Sequence, residues 1–399
     1  MSSEIEITSA TVWDDQQVTR WAGLGDSARR VASVFGCRQQ QLIGHGRAPG
    51  DVPVVTDEAI VRHSAVARSV GLEFLYLLNG RCEHLQVGTP SVRDQLIADI
   101  DWIVQTVRAT SIVVADLRVA RLIRSRYSRR AVGLRVSTIA AVMKAEDLEP
   151  WLPLDVDGVV LHHDVARDFE LLRDFGATLR RRAADTHLEL LVNESCLHGC
   201  AFRDAHYARL AGAPLNYIEG FQQNCNLPKF RDPSLLLSAN WIRPEDLTIY
   251  RELGIRRFKV AGREMPGPWL DRAVQAFVVG SYRANLVDLL TMTPPGLGVA
   301  AADVAYLDNT ALSDFLQRLR TWRGPQRAFY RDMAAELWRR GALRVNDPGS
   351  EYEFDRGAPK CVQAGQHYGT LCGLRSLSDP VYRNRERAFD KLVNISSVH

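Results

Sequence analysis

Over its first 290 residues the chain alternates short β-branched runs with amphipathic stretches at a regular pitch, the pattern of parallel βα units rather than of a sandwich or a helix bundle. Eight runs read as strands: Ile5 to Val12, Val31 to Gly36, Glu73 to Leu78, Ser111 to Asp116, Gly133 to Ser137, Gly158 to His162, Leu188 to Asn193 and Arg256 to Ala261. Helices are expected at Asp14 to Leu24, Thr56 to Val70, Ser91 to Arg108, Ala120 to Tyr127, Glu146 to Trp151, Asp168 to Phe175, Pro244 to Leu253 and Trp269 to Ser281. Thr56 offers a side-chain oxygen at one helix start, and Gly71 marks where that helix must stop. Pro244 fits a first helical turn, with Glu245 and Asp246 at the positive end of the dipole.

Eight such units closing on themselves predict an α/β fold, a (βα)8 TIM-like barrel whose chemistry gathers at the carboxyl ends of the strands. An open doubly wound sheet is the alternative, but no Gly-rich phosphate fingerprint follows any strand. The rhythm changes near Pro295. Ser313 to Arg323 and Gln326 to Arg340 read as helices, and Asn346 to Gly373 has no clear period. The expected organisation is a barrel over residues 1–294 and a mostly helical or irregular C-terminal subdomain over 295–399, packed on it.

Composition narrows the function classes. With 46% hydrophobic and 24% charged residues, the 399-residue chain is an ordinary globular protein, not a disordered or fibrous one. No apolar run reaches about 18 residues, and the polar, acidic start has no secretory layout, so a cytoplasmic protein without membrane contact is expected. A net charge of +3 does not suit a dedicated nucleic-acid binder.

Seven cysteines, an odd number, are no disulfide framework in a reducing compartment. Their placement is informative. Cys196 and Cys200 lie in Glu194-Ser-Cys196-Leu-His-Gly-Cys200, directly after the seventh strand. Cys225 follows in the same long connection, and Cys82 ends the segment Asn79-Gly-Arg-Cys82 after the third strand. Four thiols thus converge on one face of a barrel, a soft-ligand set suited to an iron–sulfur cluster or a structural zinc. Ligands drawn from separate segments around a barrel mouth favour the cluster, since structural zinc more often staples two close pairs. Cys37 also follows a strand, so the fourth ligand is Cys82, Cys37, or neither, leaving one iron open.

The run from Leu190 to His206 resembles the cysteine-bearing core of the collagenase-like peptidase family U32. Trp241-Ile-Arg243-Pro244-Glu245-Asp246-Leu247 and Phe258-Lys259-Val-Ala-Gly262-Arg263 resemble that family's next two signatures. Tyr76 to Glu83, Val136-Ser137-Thr138 and Val165 to Phe169 are similar to earlier ones, so the resemblance spans about Ala32 to Leu290. It implies a barrel carrying a 4Fe-4S cluster and oxygen-independent hydroxylation or a related modification of a small-molecule substrate. The partners it suggests are an electron-donor protein and a partner subunit of the same family. Cys361 and Cys372, ten residues apart, are thinner than the family's usual C-terminal cysteine group.

The candidate metal ligands are therefore Cys82, Cys196, Cys200 and Cys225. Candidate catalytic residues are Lys259, Arg263, His198, His206 and Glu83. Alternation turns Lys259 into the barrel, where a lysine needs an anionic partner or a shifted pKa. Arg263 at the mouth suits a substrate carboxylate, and Arg243 suits either that or a loop anchor. His198 and His206 flank the thiols as proton-transfer candidates or as loop hydrogen-bonders. The rivals are a U32-type peptidase and a scaffold with a purely structural cluster. A radical S-adenosylmethionine enzyme needs a third cysteine three places after Cys200, and that residue is Arg203. A peptidase needs a nucleophile, base and orienting group or a His-Glu-x-x-His helix, and the sequence displays neither.

Overall fold

The structure is a computed structural model that describes residues 4–81, 89–214, 239–282 and 286–291. Eight parallel strands close into a barrel in chain order, with β1 pairing to both β2 and β8. They are β1 Ile5–Ala10, β2 Arg29–Gly36, β3 Glu73–Leu78, β4 Ser111–Val114, β5 Gly133–Val136, β6 Gly158–Val160, β7 His187–Leu191 and β8 Arg257–Val260. All eight expected strands form, each shorter than or within two residues of its sequence pattern, because the terminal apolar residues pass into the loops at the mouth.

Eight α-helices stand outside: α1 Asp15–Ala22, α2 Asp57–Ser69, α3 Pro90–Asp101, α4 Leu117–Arg126, α5 Phe169–Arg181, α6 Arg203–Ala211, α7 Leu247–Glu252 and α8 Gly267–Val279, among the described residues. Local chemistry sets their ends. The Thr56 hydroxyl accepts from Ala59 N–H, and Gly71 follows at φ +82°, where a side chain would be strained. Asp168 caps α5, whose Phe169, Leu172, Phe175 and Leu179 form one buried stripe. α3 runs on into a π-helical turn, Trp102–Val107.

Two expectations change. The helix at Glu146 to Trp151 is replaced by 3-10 turns at Ala145–Leu148 and Leu152–Leu154, because Pro150 and Pro153 lack the N–H groups an α-helix would use. The sequence reading missed α6, directly after the thiol pair. The proposed C-terminal subdomain, with Cys361 and Cys372, lies outside the described residues. Among those described, no helix is long and apolar enough to cross a membrane.

The barrel has two cores. Outward residues such as Ile7, Phe74 and Phe258 pack with Trp21, Tyr250 and Phe277 under the helices. The interior is polar at its amino-terminal end. Glu6 pairs with its register neighbours Arg30 at 2.5 Å and Arg257 at 2.7 Å, while Glu73 takes Arg135 and, across the barrel, Arg257 at 3.7 Å. That ionic floor closes the bottom and leaves the carboxyl-terminal mouth for chemistry.

Candidate active site at the barrel mouth

β7 ends in Val192 and Asn193, and the Asn193 amide bolts it to the end of β8. Its Nδ2 donates to Ala261 O at 2.9 Å, and its Oδ1 accepts from Ala261 N at 2.8 Å. From this fixed point Glu194 to Cys200 arch over the mouth, with Gly199 at φ +62° allowing the chain to turn into α6. Neither Cys196 nor Cys200 is in a disulfide, and both are partly exposed.

Three residues from separate loops grip that arch. The buried Arg203 guanidinium donates to Leu197 O and, at 2.9 Å, to Asp164 Oδ1. Asp164 also accepts from Asn240 Nδ2 at 2.6 Å, while Asn240 N–H donates to Cys196 O at 3.3 Å and its Oδ1 meets His198 Nδ1 at 3.1 Å. Burial would raise the Asp164 carboxyl, but Arg203 holds it below the usual range. Burial likewise works against the Arg203 charge, and Cys196 and Asp164 outweigh it.

Around this arch the mouth is basic and tightly braced. Arg47, from the loop after β2, reaches Glu194 at 2.5 Å and Glu264 at 2.9 Å, and Thr291 donates to the other Glu194 oxygen at 3.0 Å. His163 Nε2 lies 2.8 Å from Tyr207 Oη, both fully enclosed. Burial and the Arg203 charge push His162 down to about 4, so it is neutral at pH 7. Asn79 donates to Ser137 at 3.0 Å on the opposite wall.

The residues singled out from sequence separate into groups. Cys196, Cys200 and His198 share the gripped arch, and His206 stacks parallel on Tyr207 with centroids 6.0 Å apart. Arg263 is buried and donates to Cys37 Sγ at 2.8 Å. Cys37 is thereby occupied, its thiol pushed up by burial, and among the described residues no three His, Cys, Asp or Glu side chains gather as a metal site. Arg243 proves to be a loop anchor, paired to Asp246 through two bonds of 2.8 and 2.9 Å. Lys259 points into the barrel over the Phe35 ring, and of the two alternatives the sequence left open, an anionic partner or a shifted pKa, the described residues supply no carboxylate paired to it. Cys82, Glu83 and Cys225 lie outside the described residues.

Sequence reasoning missed Asp164, Asn240 and Arg47, whose roles depend on loops meeting. It also missed a line of three at the back of the sheet. Asp15 Oδ1 lies 2.6 Å from His63 Nδ1, and His63 Nε2 lies 2.7 Å from Thr11 Oγ1. With Nδ1–H donating to the carboxylate, Nε2 accepts the Thr11 hydroxyl proton, the order of a nucleophile, base and orienting acid. Thr11 is 1% exposed and His63 0%, wedged between strand and helix beside Trp13 and Phe74, so the line braces α1 and α2 to the end of β1.

No family model matches the chain. It is 25% identical over 284 residues to the uncharacterized protease MJ1657 of Methanocaldococcus jannaschii, covering 69% of this chain and 79% of that protein. The solved U32 peptidase Mk0906 superposes with a TM-score of 0.46, at 15% identity, over 65% of this chain and 93% of that one. The C-terminal domain of a putative chitinase from Desulfitobacterium hafniense DCB-2 does so with a TM-score of 0.33, at 13% identity, over 47% of this chain and 66% of that one. The long span shared with the Methanocaldococcus protein makes this chain its relative, and the ordered motifs around the thiol arch resemble those of the U32 family.

Proposed function

We propose that this U32 relative is an iron–sulfur-dependent enzyme, carrying out oxygen-independent hydroxylation or a related modification of a small molecule at the barrel mouth. The observation that carries the reading is the pair of reduced, partly exposed thiols, Cys196 and Cys200, on an arch held at Cys196 O, Leu197 O and the His198 ring. Thiolates are the donors that iron–sulfur clusters use, and the buried Arg203 charge beside Cys196 favours the thiolate. Cys196 and Cys200 would hold the metal together with Cys82 and Cys225. When bound, such a cluster supplies one-electron transfer.

The chain's own residues do the rest. Asp164, Arg203 and Asn240 keep the two thiols at a fixed spacing. The Arg47 brace ties the loops after β2, β7 and β8 together, so the mouth keeps its shape as substrate enters. His162, held neutral at pH 7, lies with Nε2 3.3 Å from the Arg203 guanidinium and adds no charge to the mouth. A peptidase reading follows the name of the Methanocaldococcus relative, but the Thr11–His63–Asp15 line that has the right order is sealed behind the sheet.

Anaerobic purification tests the proposal. The protein should be brown, contain iron and acid-labile sulfide, and give cluster absorption and paramagnetic-resonance spectra. Cys196→Ala and Cys200→Ala should each lose the chromophore, and full iron retention in both overturns the assignment.

A further inference from the structure

Strand β8 places Lys259 in register with Thr8 of β1 and Leu191 of β7, while Phe258 and Val260 on either side pack outward under the helices. Lys259 therefore points along the barrel axis, 8% exposed, with Nζ 4.1 Å from the centroid of the Phe35 ring. Among the described residues, no hydrogen bond or ion pair joins Lys259 to another side chain, and the Phe35 ring is the contact it makes. A buried ammonium normally has a carboxylate against it.

The charges that face Lys259 explain why it stands alone. Glu189 of β7 is the one anion, and it lies a layer deeper, in register with Arg257. Against it stand three cations: Arg263 in the turn just after β8, Arg135 from β5, and Arg47 from the loop after β2. Burial first, and these guanidinium groups second, bring the lysine down to about 8. At pH 7 roughly a tenth of such a group is free amine, whereas an ordinary exposed lysine has well under a thousandth.

We propose that Lys259 is a nucleophilic amine that forms an imine with a small, negatively charged aldehyde or ketone entering at the barrel mouth. The Nζ lone pair attacks the carbonyl carbon, forming the C–N bond, and the carbonyl π pair moves to oxygen, which takes up a proton. Breaking the C–O bond then releases water and leaves a protonated imine, so the step consumes one proton and needs no oxidant or reductant. That product is again a cation over the Phe35 face, which stabilises it as it does the ammonium. Arg263, bonded to the neutral Cys37 thiol rather than to a carboxylate, gives the surroundings the positive potential that an anionic substituent requires. The site requires no metal and is independent of the thiol arch.

Reductive trapping is the test, with the full chain incubated with glyoxylate and sodium borohydride and the modified lysines mapped by peptide mass spectrometry. Exposed Lys144 is the internal control. At pH 7 Lys259 should be trapped at least about ten-fold faster than Lys144. Its rate should level off above pH 8 while that of Lys144 keeps rising, and chelator-treated protein should react equally well. Lys259→Arg should lose the fast phase and keep the slow one. Trapping of Lys259 no faster than Lys144 in the folded wild-type protein overturns the proposal, whatever the metal content proves to be.

Discussion

Arg257 and Lys259 are two residues apart on one strand and face the same barrel interior, yet their surroundings differ completely. Arg257 is tied to Glu6 at 2.7 Å and approaches Glu73 at 3.7 Å, whereas Lys259 has an aromatic ring and no carboxylate. The barrel thus gives Arg257 carboxylate partners at the floor and, among the described residues, gives Lys259 none at the level of the mouth. The lower layer stabilises the fold, and the upper layer retains a group whose protonation a ligand can change. Natural barrels place their chemistry at that same end.

The comparison breaks most visibly at the floor. Removing Glu73 strands Arg135, a 2% exposed guanidinium whose Nε and Nη1 already lack partners. Glu73→Ala should cost about 3 kcal/mol, the low end for breaking a buried pair because the Glu73 side chain is 35% open to water. Urea denaturation followed by circular dichroism reads the loss. A cost below about 1 kcal/mol would mean that the floor is hydrated and that the two layers do not differ as described.

A smaller effect separates the brace behind the sheet from the site in front of it. Thr11→Val keeps the shape of the side chain but leaves His63 Nε2 buried without its hydroxyl partner. The expected cost is about 1–3 kcal/mol, with no change in metal content or in trapping of Lys259. Abolition of a peptide-hydrolysing activity by this substitution, with stability unchanged, would instead make Thr11 a nucleophile.

The two layers also differ in how legible they are in the sequence. Strands and helix caps are local features: β-branched runs, Thr56 and Asp168 announce themselves within a few residues. The Cys196 and Cys200 pair is equally local. The grip on that pair is not, because Asp164, Arg203 and Asn240 meet only when the loops after β6 and β7 and the segment before α7 converge. Sequence placed Lys259 inside the barrel by alternation, but it left open whether a carboxylate would meet it. Register decides this, since it sets Glu189 opposite Arg257 instead. Glu146 to Trp151 misled for a local reason, one proline inside an otherwise helical pattern and a second two residues past its end.

The most gradual effect, spread over a pH window, is a slope, and it sharpens the contrast most directly. Burial brings Lys259 down to about 8 in the folded chain, from 10.5 for an ordinary lysine. Between these values the unfolded chain binds the extra proton, so wild-type stability contributed by this group rises with pH through the window and is lowest below pH 8. Lys259→Met has no such group and fills the space beside Phe35 with an apolar chain. The variant should therefore be the more stable protein at pH 7, and its advantage should shrink by about 1.4 kcal/mol for each pH unit above 8. Arg257→Met offers the matched control on the same strand: it should lose stability at every pH, because Glu6 and Glu73 lose a partner that does not titrate in this range. Parallel stability-against-pH curves for wild type and Lys259→Met would show that the lysine is paired after all, and the division of the interior into a satisfied floor and a reactive upper layer would fall.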